Sequence, residues 1–485
     1  MDTTALKRLR AYLNLPGVHF WNTVLTLLVL GGVLSSNEST NAMQLAITNV
    51  DVVDTESGVL RVDQTVVIES GRVTMLGESD TIEAPSQSAV IDGQGKFLIP
   101  GLWDMHVHLP WLANELTMPL FIANGVTGIR EMGGGMPYEQ KQEWQQQIAE
   151  GTLLGPRIMS LSHSVVNTLS SNEEAREMVD ANPDPAGMIK VYHQVLPEYY
   201  LTLMEAAHQK GVAVAGHRPQ SVSAVDASKA GQKSFEHARL FLYESYPGAL
   251  ALRARYLARY SGEDTSRDRI VTTKERREML DGFDPKLFDE VVTAMIENET
   301  WFCPTHLTRK MDAFADNEAY RNDTRLKYIS PLQRVGWDRD ADGMVRQDPS
   351  EEGRTAFMAF YQKGLELTGQ AHRAGVKIIA GTDANDTYVF PGFSLHDELQ
   401  ELVTAGLSPI EALQTATINP AEYYNATDEY GSIAVGKVAD MILLDANPLS
   451  DISNTKQINT LIFRGEVHER EALDLLLEGV EERWE

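Results

Sequence analysis

Chemistry in this chain starts at His106-Val107-His108. Residues i and i+2 of an extended chain share a face, so the two imidazoles can converge on one point. They end the run IPGLWDMHVH, and other apolar runs of strand texture end in ligand-type residues too. His217 closes GVAVAGH, His237 closes KSFEH, and Asp383 closes VKIIAGTD. Any one of these alone reads as well as a satisfied polar residue in a sheet. Four runs ending in the same register read as a metal cluster, because neutral imidazole and carboxylate are the groups that hold Zn²⁺ and related ions. Lys190 lies in the otherwise apolar GMIKVYH. A buried unpaired ammonium is costly. Two readings stay open for it: an ion pair with a neighbouring acid, or a carbamate formed with CO₂ that bridges two cations.

Such residues need a frame that brings distant strand ends together. From Leu98 onward, strand-like runs alternate with amphipathic helical stretches such as PEYYLTLMEAAHQKG and SAVDASKAG. Eight runs can be counted: FLIPGLWDMHVH, VTGIREM, PRIMSLS, GMIKVYH, GVAVAGH, KSFEHA, TWFCPTH and VKIIAGTD. Eight strand–helix units predict an α/β fold, a (β/α)8 TIM-like barrel over residues 99–427, with its chemistry at the C-terminal strand ends. Residues 43–98 are β-rich, with a turn at Ser70-Gly71, and so are residues 428–485 apart from a final helical run near 472–480. The two ends are predicted to pair as a small β-sandwich domain into which the barrel is inserted. The long connections at 242–299 and 307–374 are predicted to rise over the barrel mouth as lids, where loops set the substrate.

The chain has 485 residues, 43% of them hydrophobic, and a formal net charge of -27. That charge excludes nucleic acid and anionic membrane surfaces as partners. The acidic residues are dispersed, as on a solvated surface. Cys303 is the lone cysteine, so no intrachain disulfide forms. Lys7, Arg8 and Arg10 precede an apolar stretch from Phe20 to Leu34 and small residues up to Ala42. This order reads as a signal peptide over residues 1–42, with a signal anchor as the alternative. The expected location is secreted or periplasmic, without stable membrane association once the signal is removed.

The ligand pattern resembles the amidohydrolase superfamily, binuclear subtype, in its imidazolonepropionase-like and prolidase-like branches. It has H-x-H on the first strand, Lys on the fourth, His on the fifth and sixth and Asp on the eighth. GSIAVGKVADMILLDANPLSDI and FIANGVTGIREMGG match further, although Glu131 stands where Asp is usual. The resemblance implies that His106, His108 and Asp383 hold one divalent ion, His217 and His237 a second, and carboxylated Lys190 and a hydroxide bridge them. Zinc is the first expectation, with manganese, iron or cobalt as alternatives. The implied reaction is attack of that hydroxide on an amide carbonyl, with Asp383 carrying the proton to the leaving amine.

Tyr192, two residues after Lys190, is expected to hydrogen-bond the substrate carbonyl. The expected substrate is a small molecule, a dipeptide or N-acyl amino acid. Alternatives are a cyclic amide, lactone or phosphoester hydrolase, or a mononuclear deaminase of the same superfamily. A homo-oligomer is compatible with this reading. His163 and His306 are predicted to line the pocket and His193 to alternate away from it. Arg218 is predicted to make a surface ion pair, Cys303 to fill the core, and Gly133–Gly135 to form a flexible turn.

Overall fold

The computed structural model describes residues 44–183 and 187–484. The signal-peptide reading of residues 1–42 lies outside them. The first five strands are β1 (Gln44–Asp54), β2 (Val59–Glu69), β3 (Arg72–Glu78), β4 (Ala89–Asp92) and β5 (Phe97–Pro100). Seven parallel strands follow: β6 (Leu102–Val107), β7 (Val126–Glu131), β8 (Arg157–Val166), β9 (Met188–Val191), β10 (Ala213–Gly216), β11 (Ser234–Glu236) and β12 (Trp301–Cys303). The chain returns through β13 (Met441–Leu444), β14 (Ile458–Phe463) and β15 (Glu466–Glu469), then ends in a helix, Arg470–Glu482.

Both chain ends share one sheet of eight strands, in the order β15-β14-β13-β5-β1-β2-β3, with β4 also paired to β1. β5 joins the halves, running parallel to β1 and antiparallel to β13. Apolar residues from both ends, including Ile47, Val66, Leu98, Met441 and Ile462, make its core. The small β unit built from both ends is therefore present. One boundary differs from the sequence reading. The run FLIPGLWDMHVH is two strands in two sheets, β5 and β6, joined at Gly101. A Cβ there would lie 2.2 Å from Thr127 Oγ1, so only glycine lets the chain pass between the sheets at this point.

β6 to β12 pair in order as a parallel barrel wall. Residues 378–384 close it, with parallel bridges from Ile378 to Phe302 on β12 and from Ala384 to Val107 on β6. Backbone hydrogen bonds from Met105 N to Ala380 O, 2.9 Å, and from Asp383 N to His106 O, 2.8 Å, fix the seam. Gly381 makes it possible, because a Cβ there would come within 2.5 Å of Cys303 Sγ and 2.8 Å of His106 Cβ. β6, β7, β9, β11 and β12 are buried at every residue, as expected of strands covered on both faces.

The lids are shorter than the sequence suggested. Helix Pro285–Glu297 buries Phe288, Val291 and Met295 in a cluster with Phe235 of β11 and Phe302 of β12. The 24-residue helix Glu351–Ala374 adds Leu367 and Ala371 to that cluster. Both are ordinary crossover helices of the barrel wall. Their apolar stripes are hidden inside long Glu- and Arg-rich segments, which made the whole connections read as lids. What remains of the two connections includes helices Ala249–Tyr260 and Thr273–Asp281 in the first, and His306–Phe314 and Pro331–Val345 in the second.

Candidate metal centre

The six residues expected as ligands come together at the C-terminal strand ends. His106 is on β6 and Lys190 on β9, both fully buried. His108, His217 and His237 each follow directly on β6, β10 and β11, and Asp383 lies on the closing segment. Asp383 is the hub. Its Oδ1 is 3.4 Å from His106 Nε2 and 3.1 Å from His108 Nε2, and its Oδ2 is 3.6 Å from His237 Nδ1. Lys190 Nζ lies 3.3 Å from His106 Nε2. The rings of His217 and His237 are 4.3 Å apart.

Each imidazole on the H-x-H side is oriented by a partner that can only accept. His106 Nδ1 donates to Glu236 Oε2 at 2.8 Å, and His108 Nδ1 donates to Gly133 O at 2.6 Å. Both Nε2 atoms are thereby directed at Asp383. Glu236 is held in turn by Arg130 Nη2, 2.9 Å, and Ser234 Oγ, 2.6 Å. Arg130 also donates to Met105 O, Ser234 Oγ and Tyr423 Oη, so this buried cation is fully engaged. Gly133 is fixed through its neighbour. Lys141 Nζ bonds Gly134 O at 2.8 Å and Glu131 at 2.6 Å. The Gly133–Gly135 segment is thus a braced carbonyl mount rather than a loose turn, and Glu131 acts on the centre through Lys141.

On the other side, His237 Nδ1 is hydrogen-bonded to Thr305 Oγ1 at 2.8 Å, while His237 Nε2 and His217 Nδ1 are buried without a partner among the described residues. Buried polar atoms are rarely left so, and a cation is the partner that neutral imidazole nitrogens accept. Nitrogen and oxygen atoms of His106, His237 and Asp383 all lie within 4.8 Å of one another. The donor set therefore fits divalent metal. Glu236 and Cys303 also approach His106, but Glu236 is taken by Arg130, and burial pushes the Cys303 thiol well up, away from the thiolate a metal needs.

Electrostatics favour the neutral, ligating form of three imidazoles, while the Asp383 carboxylate raises His108 against its burial. Burial, helped by Lys190, pulls His106 down to about 4. Burial holds His217 and His237 well below the usual imidazole range, helped by the charge of His237 on the first and of His106 on the second. Burial opposes ionisation of Asp383, but His106, His108 and Lys190 overcome it and hold its pKa below the carboxylate range. Burial lowers Lys190 to about 8. His237 and Asp383 have φ of +76° and +69°. Two non-glycine residues in the left-handed region at one point are strain of the kind that collects at functional sites.

Tyr192 stacks on His217, centroids 4.6 Å apart and planes 19° apart, with Lys190 Nζ 5.3 Å from its ring. Its ring thus lies beside the centre. His193 does not follow that reading. Its ring lies 5.6 Å from His217, because β9 ends at Val191 and strand alternation ends with it. Arg218 is buried and paired with Glu244 at 3.1 Å, not on the surface. His163 bonds its neighbour Ser164 and packs on Tyr138. His306 is fully buried with neither ring nitrogen bonded among the described residues, and burial lowers it to about 3.

Sequence reasoning missed Arg130, Glu236, Thr305 and Asp104. Asp104 accepts from His106 N, 3.2 Å, and from Thr382 N, 3.0 Å, tying β6 to the closing segment. Burial raises it to about 7. The signal that marked Lys190, a charge inside an apolar strand, was also present at Arg130 and Asp104.

Residues 97–468 match the family model described as "Amidohydrolase family". An imidazolonepropionase of Idiomarina loihiensis is 40% identical over 77 residues, 15% of this chain and 19% of that protein. Adenine deaminase 2 of Shouchella clausii is 39% identical over 66 residues, 13% of this chain and 12% of that protein. These matches thus span less than a fifth of either curated relative. Among solved structures, a Xaa-Pro dipeptidase with bound methionine is 20% identical, with a TM-score of 0.60 over 88% of this chain and 100% of that one. At that identity the likeness is one of fold.

Proposed function

The chain belongs to the amidohydrolase family, and on that premise we propose that it hydrolyses the amide bond of a dipeptide or N-acyl amino acid at the Asp383 centre. The observation that carries this reading is Asp383 itself, with oxygens 3.1–3.6 Å from three imidazoles carried by two barrel strands, His106 and His108 at the end of β6 and His237 after β11. His106, His108 and Asp383 would hold one divalent ion, His217 and His237 a second, and Lys190, as its carbamate, would join them. Such ions, zinc first, supply a Lewis acid and a water acidified to near neutrality.

The protein's own residues do the rest. Asp383 begins ionised and is placed to accept a proton from the attacking water and pass it to the leaving amine. Glu236 and Gly133 keep Nε2 of His106 and His108 aimed inward throughout, so these ligands need no reorganisation during turnover. Tyr192, stacked on His217, is placed to donate its hydroxyl to the substrate carbonyl.

A panel of dipeptides and N-acyl amino acids, run beside lactones and phosphotriesters, tests the reading. Turnover of the first group with about two metal ions per chain supports it. Turnover of the second group alone overturns the substrate class. The short match to an adenine deaminase keeps one other reading alive: one ion per chain together with ammonia release from adenine would select it.

A further inference from the structure

Between the first and second lid segments lies a cavity of about 440 Å³. Its walls combine aromatic rings with guanidinium groups, and a relay of rings leads from it toward the metal centre. The Tyr260 ring lines the cavity and lies 6.1 Å from His193, which faces His217 at 5.6 Å.

The arginines there differ in how their charge is matched. Arg259 is paired with Asp264 at 2.8 Å, and Arg309 is paired with Asp312. Arg276 has no such partner. It is 8% exposed and lies 3.8 Å over the Phe357 ring. Its hydrogen bond runs to the neutral amide of Gln347 at 3.1 Å, and no carboxylate among the described residues forms an ion pair with it. Asp312 is the acid shared by this group, with Arg309 bonded to it and the charges of Arg276 and Arg239 acting on it from nearby. The cavity therefore has an excess of positive charge. Arg276 is also rigidly mounted, on a helix started by a capping box between Thr272 and Glu275. A buried guanidinium whose neighbouring acids, Asp312 and Asp348, act on it from beyond ion-pair distance has room for an arriving anion.

We propose that this cavity binds the carboxylate-bearing aromatic end of the substrate, with Arg276 and Arg309 as the residues that recognise the carboxylate. The inference rests on the amide-hydrolase reading above and narrows its substrate class to N-acyl or N-aminoacyl aromatic amino acids. Arg276 and Phe357 offer a cation and an aromatic face together, which suits a flat ring bearing an anion. Tyr243 and Tyr256, which line the same wall, add phenol groups to it.

The test is calorimetric titration of the metal-loaded full chain with 3-phenylpropanoate and with its neutral amide, 3-phenylpropanamide. The acid is expected to bind at least about tenfold more tightly than the amide. Arg276→Gln should bring that ratio close to one, and Arg309→Gln should lower it by a smaller factor. Equal affinities in the parent protein overturn the proposal. So does a ratio unchanged in both variants, which would assign the carboxylate to the metal centre. Should Arg276→Gln fail to fold, Arg309→Gln and Tyr256→Phe carry the test by the same ratio. A turnover panel separates the two readings. Equal rates on N-acyl aromatic acids and their primary amides remove the cavity's role and leave the hydrolase standing. Arginine-dependent binding without any amide turnover keeps the cavity and removes the reaction.

Discussion

The two halves of the metal centre are built differently. On the H-x-H side every orienting bond is made inside the barrel: His106 to Glu236, Glu236 to Arg130, His108 to Gly133. On the lid side His237 leans on a single hydroxyl, Thr305, and His217 is positioned by stacking on Tyr192. Two buried nitrogens on that side have no partner among the described residues. One half is a finished scaffold, and the other is finished only when something binds. Ligands that must keep their aim are braced by buried charge, and ligands that meet the variable part of the reaction are left adjustable.

This contrast can be broken at Asp383, which belongs to both halves. Asp383→Asn should lower kcat/KM by about 10³-fold or more while secondary structure and Tm are retained; near-normal turnover would remove Asp383 from the chemistry. Next in size is a change confined to the braced half. Glu236→Gln leaves Arg130 buried and uncompensated, and should cost about 3–5 kcal/mol of unfolding free energy by denaturant titration. A loss below about 1 kcal/mol would mean that the brace is not structural.

Acid should separate the members of the H-x-H pair in metal-free protein. Burial holds His106 at about 4, below its unfolded value, so as pH falls the unfolded chain takes up the proton first. Its share of stability is intact above about 6.5 and is lost as pH falls toward 4, on the order of 3 kcal/mol. His108 has the opposite sign. Burial works against its charged form, yet Asp383 raises its pKa, so its contribution is present at low pH and fades as pH rises through that value. A stability profile flat between pH 7 and 5 in chelator-treated protein would contradict the His106 assignment.

Smaller effects are expected on the lid side. Thr305→Val should weaken metal affinity about 10- to 100-fold by equilibrium competition with a chelator, with little change in Tm. Tyr192→Phe keeps the stack on His217 and removes only the hydroxyl; it should reduce kcat by less than about tenfold with unchanged metal content. Loss of metal in Tyr192→Phe would show that the hydroxyl, and not the ring, supports the centre.

What was legible in the amino-acid order was what short-range periodicity carries. Eight apolar runs, four of them closed by ligand-type residues, mark the seven barrel strands and the closing segment, and period-two alternation places His106 and His108 on one face. The same reasoning failed at His193 because a backbone can leave the strand one residue earlier than its pattern suggests. It also enlarged the lids, since a crossover helix and a lid helix have the same local texture until one sees what each buries.

Tertiary structure alone decided the partners. Glu236 is 130 residues from His106, and Arg130 is 106 from Glu236. No local pattern links them; only closure of the barrel at Gly381 and Asp383 brings them within reach. The type of each ligand is a property of its own position. Its protonation, its aim and its vacancy for a cation are properties of neighbours contributed by other strands, and those exist only once the low-dielectric interior has formed around them.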